Sequence, residues 1–200
     1  FSVAVSSDGN LALIGADGKA GFTGAAYLYR RTGNTWGDEQ KLTPSDGVSN
    51  DGFGFSVSLS GDGSLALIGA EGCSCSSNGA AYVYTRSVNT WGNEQKLTAS
   101  DGAAGDAFGG AVTLSGDGTG ALIGADGSAG GTGAAYSYTR SGGVWGTERK
   151  LTASDGAAGD AFGLSVALNG DASVALIGAP GSCGCSLAGA AYAYTRSGNT

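Results

Sequence analysis

The 200-residue chain contains no histidine, no methionine and no apolar run long enough to cross a membrane. Without histidine, Ser-His-Asp and Cys-His catalytic arrangements and histidine-based metal sites are excluded. A membrane-spanning helix needs about 20 consecutive apolar residues, so membrane insertion is not expected. Because methionine is absent and Phe1 falls inside a repeat, we interpret the sequence as an internal or processed segment of a longer protein.

Basic residues are also scarce, with 10 Lys and Arg against 17 Asp and Glu and a net charge of −7. No basic stripe is present, so a nucleic-acid partner is not expected. The acidic residues recur with the repeats described below instead of pairing at one unique place. That distribution favours a structural role for them, and we predict that the chain is not an enzyme.

Glycine is abundant, with 40 residues, and it recurs at fixed offsets between short apolar runs, which is typical of turns. The whole chain forms one repeat domain, residues 1–200, of nearly four copies: residues 1–54, 55–109, 110–163 and 164–200. Trp36, Trp91 and Trp145 keep this period, at spacings of 55 and 54 residues. The last copy is incomplete and lacks the WGxExKLTxSDG segment.

Each copy has the pattern of four short antiparallel strands separated by turns. In the second copy the predicted strands are Phe55–Ser60, Leu65–Ile68, Ala80–Thr85 and Trp91–Thr98. A period of about 54 residues favours a propeller blade over a stacked β-solenoid, whose coils are nearer about 20–30 residues. The predicted fold is therefore all-β, with β-propeller-type blades of four antiparallel strands per repeat and essentially no helix. We expect it to be a segment of a larger propeller or repeat assembly.

Two motifs that recur with the repeat resemble those of the FG-GAP repeat family, in its bacterial form. The FG positions are Phe53-Gly54, Phe108-Gly109 and Phe162-Gly163. The GAP positions begin at Ile14-Gly15-Ala16, Ile68-Gly69-Ala70, Ile123-Gly124-Ala125 and Ile177-Gly178-Ala179-Pro180. The resemblance implies a propeller, commonly of about seven blades, in secreted or surface-exposed proteins that act in adhesion and ligand binding.

Calcium loops of the DxDxDG type occur in part of this family, but the matching hairpins here carry only one carboxylate each, from Asp8, Asp62, Asp117 and Asp171. We do not expect calcium there, because calcium takes about 6–8 oxygen ligands. Pairs of carboxylates in a later loop are a second candidate: Asp46 with Asp51, Asp101 with Asp106, and Asp155 with Asp160. We expect them to hold turns by accepting backbone N–H groups, with calcium as the alternative, and we predict no cofactor.

The four cysteines form two doublets, Cys73/Cys75 and Cys183/Cys185, in the loop after the GAP position of the second and fourth copies. In the oxidising surroundings that the family resemblance implies, the preferred prediction is a disulfide within each doublet. Pairing between molecules, free thiols and a soft-metal site remain the alternatives.

The repeated tyrosines, Tyr27/Tyr29, Tyr82/Tyr84, Tyr136/Tyr138 and Tyr192/Tyr194, could stack on sugars if exposed. Aromatic residues repeated in every copy usually serve the repeating core, so we expect them to pack between blades.

The function predicted from these observations is a non-enzymatic extracellular or cell-surface module for adhesion or ligand binding, with a protein or glycan as partner. The alternative is a structural subunit of a fibre or surface layer, in which the partners are copies of the chain itself. We also expect residues 1–200 not to close into a ring as an isolated monomer, because an incomplete blade leaves an exposed strand edge.

Overall fold

A computed structural model describes residues 2–72, 77–181 and 189–197. The first blade consists of β1 (Val3–Val5), β2 (Leu11–Ala16), β3 (Ala25–Thr32) and β4 (Thr35–Leu42). The second consists of β5 (Phe53–Leu59), β6 (Leu65–Ala70), β7 (Ala80–Ser87) and β8 (Thr90–Leu97). The third consists of β9 (Val112–Leu114), β10 (Gly120–Ala125), β11 (Ala134–Ser141), β12 (Val144–Trp145) and β13 (Arg149–Leu151). The fourth consists of β14 (Ser165–Leu168), β15 (Val174–Ala179) and β16 (Ala190–Thr195).

Every blade is an antiparallel sheet whose strands follow chain order, which confirms the predicted all-β architecture. In the third blade the fourth strand is broken into β12 and β13, and both pieces pair with β11. In the described part of the chain, helix is limited to α1 (Lys19–Phe22) and α2 (Ser128–Gly131), each of which contains left-handed residues. No helix among the described residues is long and apolar enough to span a bilayer.

The strands of the second blade lie within a few residues of their predicted bounds. Differences of two residues occur at the ends of β6 and β7 and at the start of β5, which begins at Phe53 and not at the predicted Phe55. In the second blade the FG pair therefore opens the first strand and is not the end of the preceding blade. The first strands of successive blades contact one another, which places them on the inner side of the array.

Strand alternation divides each sheet into two faces, and the hydrophobic core lies between consecutive blades. Tyr82 and Tyr84 of β7 pack toward the first blade, whereas Ala81 and Val83 pack toward the third. Tyr82, Tyr84, Tyr136 and Tyr138 are all buried. For these four tyrosines the prediction of packing between blades is confirmed.

The outer faces of the first and fourth blades have no blade against them among the described residues. Ile14 is 39% exposed, whereas its counterparts Ile68, Ile123 and Ile177 are 0% exposed. Leu176 is 50% exposed, whereas its counterparts Leu13, Leu67 and Leu122 are 0% exposed. The two ends thus present opposite halves of one apolar contact.

Glycine is required where blades meet at their inner strands. A β-carbon on Gly69 of β6 would lie 2.0 Å from the carbonyl oxygen of Gly109, which opens the next blade. Gly109 itself has a φ of +95°, a conformation that side chains other than glycine rarely adopt. The glycines of the two motifs therefore recur because the backbones of neighbouring blades touch there.

Replacing Gly69 with alanine is expected to destabilise the protein by about 3 kcal/mol, because the added methyl would overlap backbone that cannot move alone. Gly92→Ala in the same blade is the matched control, since a β-carbon there meets nothing within 4 Å. It should change stability by less than about 0.5 kcal/mol. Equal unfolding midpoints in urea for the two variants would contradict the assigned contact.

Candidate ligand-binding groove

The aspartates at the tight hairpins hold the turns themselves. Oδ1 of Asp62 accepts from the hydroxyl of Ser60 at 2.7 Å and from the backbone N–H of Ser64 at 2.9 Å. Asp8 has the same arrangement, and the hydrogen bonds from Ser6 and Asn10 lower its pKa to about 2. These carboxylates are saturated by local donors, as expected for turn residues.

The later loops were the second calcium candidate, and here too the carboxylates are engaged. Asp51 accepts from the N–H of Val48, Asp106 from that of Ala103 and Asp160 from that of Ala157, at 2.7, 2.9 and 2.7 Å. The preferred interpretation as turn-holding residues is confirmed for these three. Within the described residues, no three His, Cys, Asp or Glu side chains converge in a way that could hold a metal ion.

Asp46 and Asp101, the other members of those pairs, join one blade to the next. Asp46 accepts from the hydroxyl of Tyr82 at 2.8 Å and lies 2.6 Å from Nζ of Lys96. The neighbouring Ser45 donates through its N–H and its hydroxyl to Glu94, at 3.0 and 2.7 Å. We call this set of contacts the interblade clasp.

The clasp recurs at the next junction, where Asp101 accepts from Tyr136 at 2.8 Å and lies 2.7 Å from Nζ of Lys150. The Lys150 ammonium and the Tyr136 hydroxyl lower the pKa of Asp101. At the third junction only the tyrosine contact is present among the described residues, from Tyr192 to Asp155 at 2.7 Å. Among the described residues the fourth blade has three strands, and none of them carries the Glu and Lys of a complete clasp.

A groove opens between the first two blades, on the outer side of the apolar core. Two cavities, of about 360 and 450 Å³, share Leu11, Arg30, Arg86 and Asn89 and form this groove. It lies beside a bulge in the pairing of β3 with β4, between Leu28 and Arg30. Asp38, opposite the bulge, has a φ of +52°, a backbone form in which Asp and Asn are enriched.

Side chains of both blades are tied together across this groove. Nη1 of Arg30 donates to Oδ1 of Asn89 at 2.7 Å. The side-chain N–H of Gln40 donates to the backbone carbonyl of Asn89. Oε1 of Gln40 accepts from the backbone N–H of Trp91 at 3.3 Å. Arg86 also lines the groove, and its guanidinium makes no hydrogen bond or ion pair with a described residue.

The groove is also a place where the repeat is not uniform. Arg30 of the first copy aligns with a threonine in each of the other copies: Thr85, Thr139 and Thr195. Asp38 corresponds to Asn93 and Thr147, whereas Asn89 is matched by Asn34 and Asn199 and is replaced in the third copy by Gly143. Arg86, in contrast, is matched by Arg31, Arg140 and Arg196. An asymmetric site needs such local differences, because identical loops would offer identical surfaces.

Three acidic side chains follow the GAP glycine at one repeat position: Asp17, Glu71 and Asp126. The β-carbon position of Gly110 lies 3.2 Å from Oε2 of Glu71 and 3.6 Å from Oδ1 of Asp126, so the two carboxyl groups flank one point. Burial, followed by the charges of Asp126 and Asp17, raises the pKa of Glu71 to about 7. Burial also raises the pKa of Asp126.

The sites predicted from the sequence differ from the sites that the structure shows. Cys73, Cys75, Cys183 and Cys185 lie outside the described residues, so the predicted disulfides stay a prediction. The groove and the acidic triplet were missed in the sequence. Aligning the copies for their differences as well as their identities would have found Arg30, and aligning the acids alone would have found Glu71.

The geometry defines a repeat protein of propeller type, with four-stranded blades joined through FG and GAP glycines. Comparison with protein families matches the FG-GAP repeat at residues 36–84, 91–138 and 145–194, well over half of the sequence. The chain belongs to the FG-GAP repeat family. Comparison with curated proteins gave no match.

Solved structures with a similar fold are more distant in sequence. Hydrazine synthase from Kuenenia stuttgartiensis matches with a TM-score of 0.57 and 14% identity, over 92% of this chain and 43% of that one. TolB from Acinetobacter baumannii matches with a TM-score of 0.55 and 19% identity, over 92% of this chain and 38% of that one. The chain thus spans about two fifths of the length of either, and the likeness concerns the fold.

The raised pKa of Glu71 predicts a pH dependence of stability. Its pKa in the folded state exceeds that in the unfolded state, so its contribution is fully present below about pH 4.5 and is lost as the pH rises through about 7. Glu71→Gln should therefore stabilise the protein at pH 8, by about 1 kcal/mol once solvent screening is allowed for. Urea unfolding at pH 5 and pH 8 measures this difference. Gly92→Ala, which changes no titratable group, should leave the slope with pH unchanged, and the assignment is wrong if Glu71→Gln does so too.

Proposed function

We propose that this chain is a non-enzymatic, extracellular β-propeller module for adhesion or ligand binding, and that it binds a protein or glycan in the groove between its first two blades. The observation that carries this proposal is the coincidence of a cavity with repeat-specific polar side chains. Residues that maintain the fold recur from copy to copy, as the tyrosines of the clasp and the glycines do. Arg30 and Asp38 differ from their counterparts in the other copies, and both line the cavity.

The lining of the groove suits binding of a polar partner. Its donors are held in place by contacts between the blades, because Arg30 and Gln40 of the first blade both bond to Asn89 of the second. Side chains positioned before a ligand arrives lose less conformational entropy on binding. The open guanidinium of Arg86 and the edge of Trp91 add a charged and an aromatic contact.

Two further points support the non-enzymatic and extracellular parts of the proposal. The sequence has no histidine, and the carboxylates of the turns and of the two complete clasps are occupied by hydrogen-bond donors. Carboxylates engaged in this way are poorly suited to proton transfer with a substrate. The extracellular location follows the general character of FG-GAP repeats.

Filling the groove should abolish binding. The variant Asn89→Trp places an indole at the groove, whereas Asn34→Trp places the same side chain on the equivalent hairpin of the first blade, where Asn34 does not line the groove. We expect the wild type and Asn34→Trp to retain a ligand from an array of neutral and acidic glycans and extracellular-matrix proteins. Asn89→Trp should lose at least about tenfold in affinity. Retention that is unaffected by Asn89→Trp, or no retention at all, would contradict the proposal.

The exposed end faces favour a second candidate function, a structural subunit that associates with copies of itself. Ile14 at one end and Leu176 at the other belong to the two halves of the contact that is fully buried at every internal junction. Contact between unlike surfaces of two molecules is head-to-tail and can propagate into a filament. One edge of β16 pairs with no described strand and would add backbone hydrogen bonds to such an assembly.

Static light scattering over a range of concentrations tests this second candidate. The wild-type chain should increase in mass with concentration, and Leu176→Lys should suppress the increase because it places a charge on the exposed apolar face. Val144→Lys, at an exposed hairpin of the third blade, should behave as the wild type. A monodisperse, cooperatively melting monomer at all concentrations would rule out self-assembly.

A further inference from the structure

We propose that the groove recognises a sugar residue bearing a carboxylate group, with Arg30 and Arg86 receiving the carboxylate from the two sides. This inference deepens the ligand-binding function proposed above and rests on it. The proposed ligand class is an acidic glycan. Four features of the groove support it.

The first reason is that the guanidinium groups of the groove have no carboxylate partner. The salt bridges within the described residues join Lys96 to Asp46 and Lys150 to Asp101, and neither involves an arginine. Arg30 uses Nη1 for Asn89, and Arg86 uses none of its side-chain donors on a described residue. A guanidinium carries five N–H donors in a planar fork that matches the two oxygens of a carboxylate.

The second reason is that the two arginines come from opposite walls. Arg30 follows the bulge in β3 of the first blade, and Arg86 lies on β7 of the second. Both side chains line both cavities. A carboxylate between them would take hydrogen bonds from each blade, whereas at the next junction the corresponding residues are Thr85 and Arg140.

The third reason concerns the acidic residues of the same groove, which narrow the ligand class. Asp38 and Glu39 line one cavity, and Asp8 and Asp62 line the other. Four carboxylates on a chain with a net charge of −7 disfavour a densely charged polyanion. Asp8, Asp62 and Glu39 already accept from groups of the protein. Asp38 accepts no side-chain hydrogen bond from a described residue, so its carboxylate can take a hydroxyl of a ligand whose single acidic group binds the arginines.

The fourth reason is size and surface. A cavity of about 360 Å³ is at the lower end of small-molecule sites, which span roughly 300–1,000 Å³. Leu11, Leu28 and Trp91 line it, and Trp91, which is 8% exposed, leaves a small part of its side chain open to a ligand. A single sugar ring has both polar edges and an apolar face, so it can contact both parts of this lining.

Isothermal titration calorimetry with a galactose trimer in which one unit is galacturonic acid, compared with the fully neutral galactose trimer, tests the proposal. The acidic trimer should bind and the neutral one should bind at least about tenfold more weakly, and affinity should fall with added salt. Arg30→Thr and Arg86→Gln should each weaken binding of the acidic trimer by about tenfold or more. Arg140→Gln, at the equivalent position of the next junction, should leave it unchanged.

The other copies of the repeat indicate that the fold accepts threonine at the position of Arg30. Threonine already occupies the position of Arg30 in three other copies, so Arg30→Thr should melt as cooperatively as the wild type. If Arg86→Gln does not fold, Arg86→Lys replaces it. Lysine keeps the charge but loses the fork geometry, so partial weakening is expected.

Contrary results separate this inference from the function on which it rests. Equal binding of the neutral and acidic trimers, or equal weakening by Arg140→Gln, would overturn carboxylate recognition at this groove. A ligand that is lost in Asn89→Trp but retained in both arginine variants would leave the binding function standing and reject the acidic sugar. Loss of all array ligands from every protein, the wild type included, would remove both.

Discussion

The contact between two glycine backbones at each blade junction is the constraint on which the other features depend. A β-carbon on Gly15 would lie 1.9 Å from the carbonyl oxygen of Gly54, and one on Gly124 would lie 1.9 Å from that of Gly163. The inner strands are therefore as close as backbone allows. Larger side chains can fit only further out, where the twisted sheets diverge.

Outside this backbone contact, each of the first two junctions has a layer of aromatic rings and then a layer of charged and hydroxyl groups. Phe53 lies against Tyr82 with ring centroids 5.4 Å apart, and Phe108 lies against Tyr136 at the same distance. Beyond the rings, the clasp closes the junction with charged and hydroxyl groups that remain half-exposed to water. Such exposed pairs add little free energy singly, so their main contribution is to fix the angle between blades. The groove is the space at the first junction beside these contacts.

Sequence periodicity was sufficient for the fold because each copy repeats the same turn glycines and alternating strands. Four strands per copy, their approximate bounds and the burial of Tyr82 and Tyr136 followed from that alternation. The start of β5 at Phe53 did not follow, since only the structure shows the FG pair against the preceding blade. The partners of Asp46 and Asp101 were hidden for the same reason, because they belong to the next copy, about 50 residues away.

The groove was harder to predict because a search for repeats emphasises identical positions. Arg30 differs from the threonine that the other three copies share. Nothing in its immediate sequence marks it as a residue that lines a groove. Its position becomes informative only when Asn89 and Arg86 are seen on the facing wall. Sites of this kind depend on two neighbouring copies, so neither copy alone contains the signal.

The division of each clasp between two copies also bears on how such chains gain and lose length. One copy contributes the Ser-Asp loop, and the next contributes the tyrosine, glutamate and lysine. Deletion or duplication of one full period, wherever its ends fall, joins a loop to a strand of the same kind and restores the contacts. Recombination between copies can therefore change the number of blades without a compensating mutation at the new junction. The groove has less protection, because an arginine recurs at the position of Arg86 in every copy but Arg30 stands in the first copy alone, so a chain that lost this copy would lose the second guanidinium.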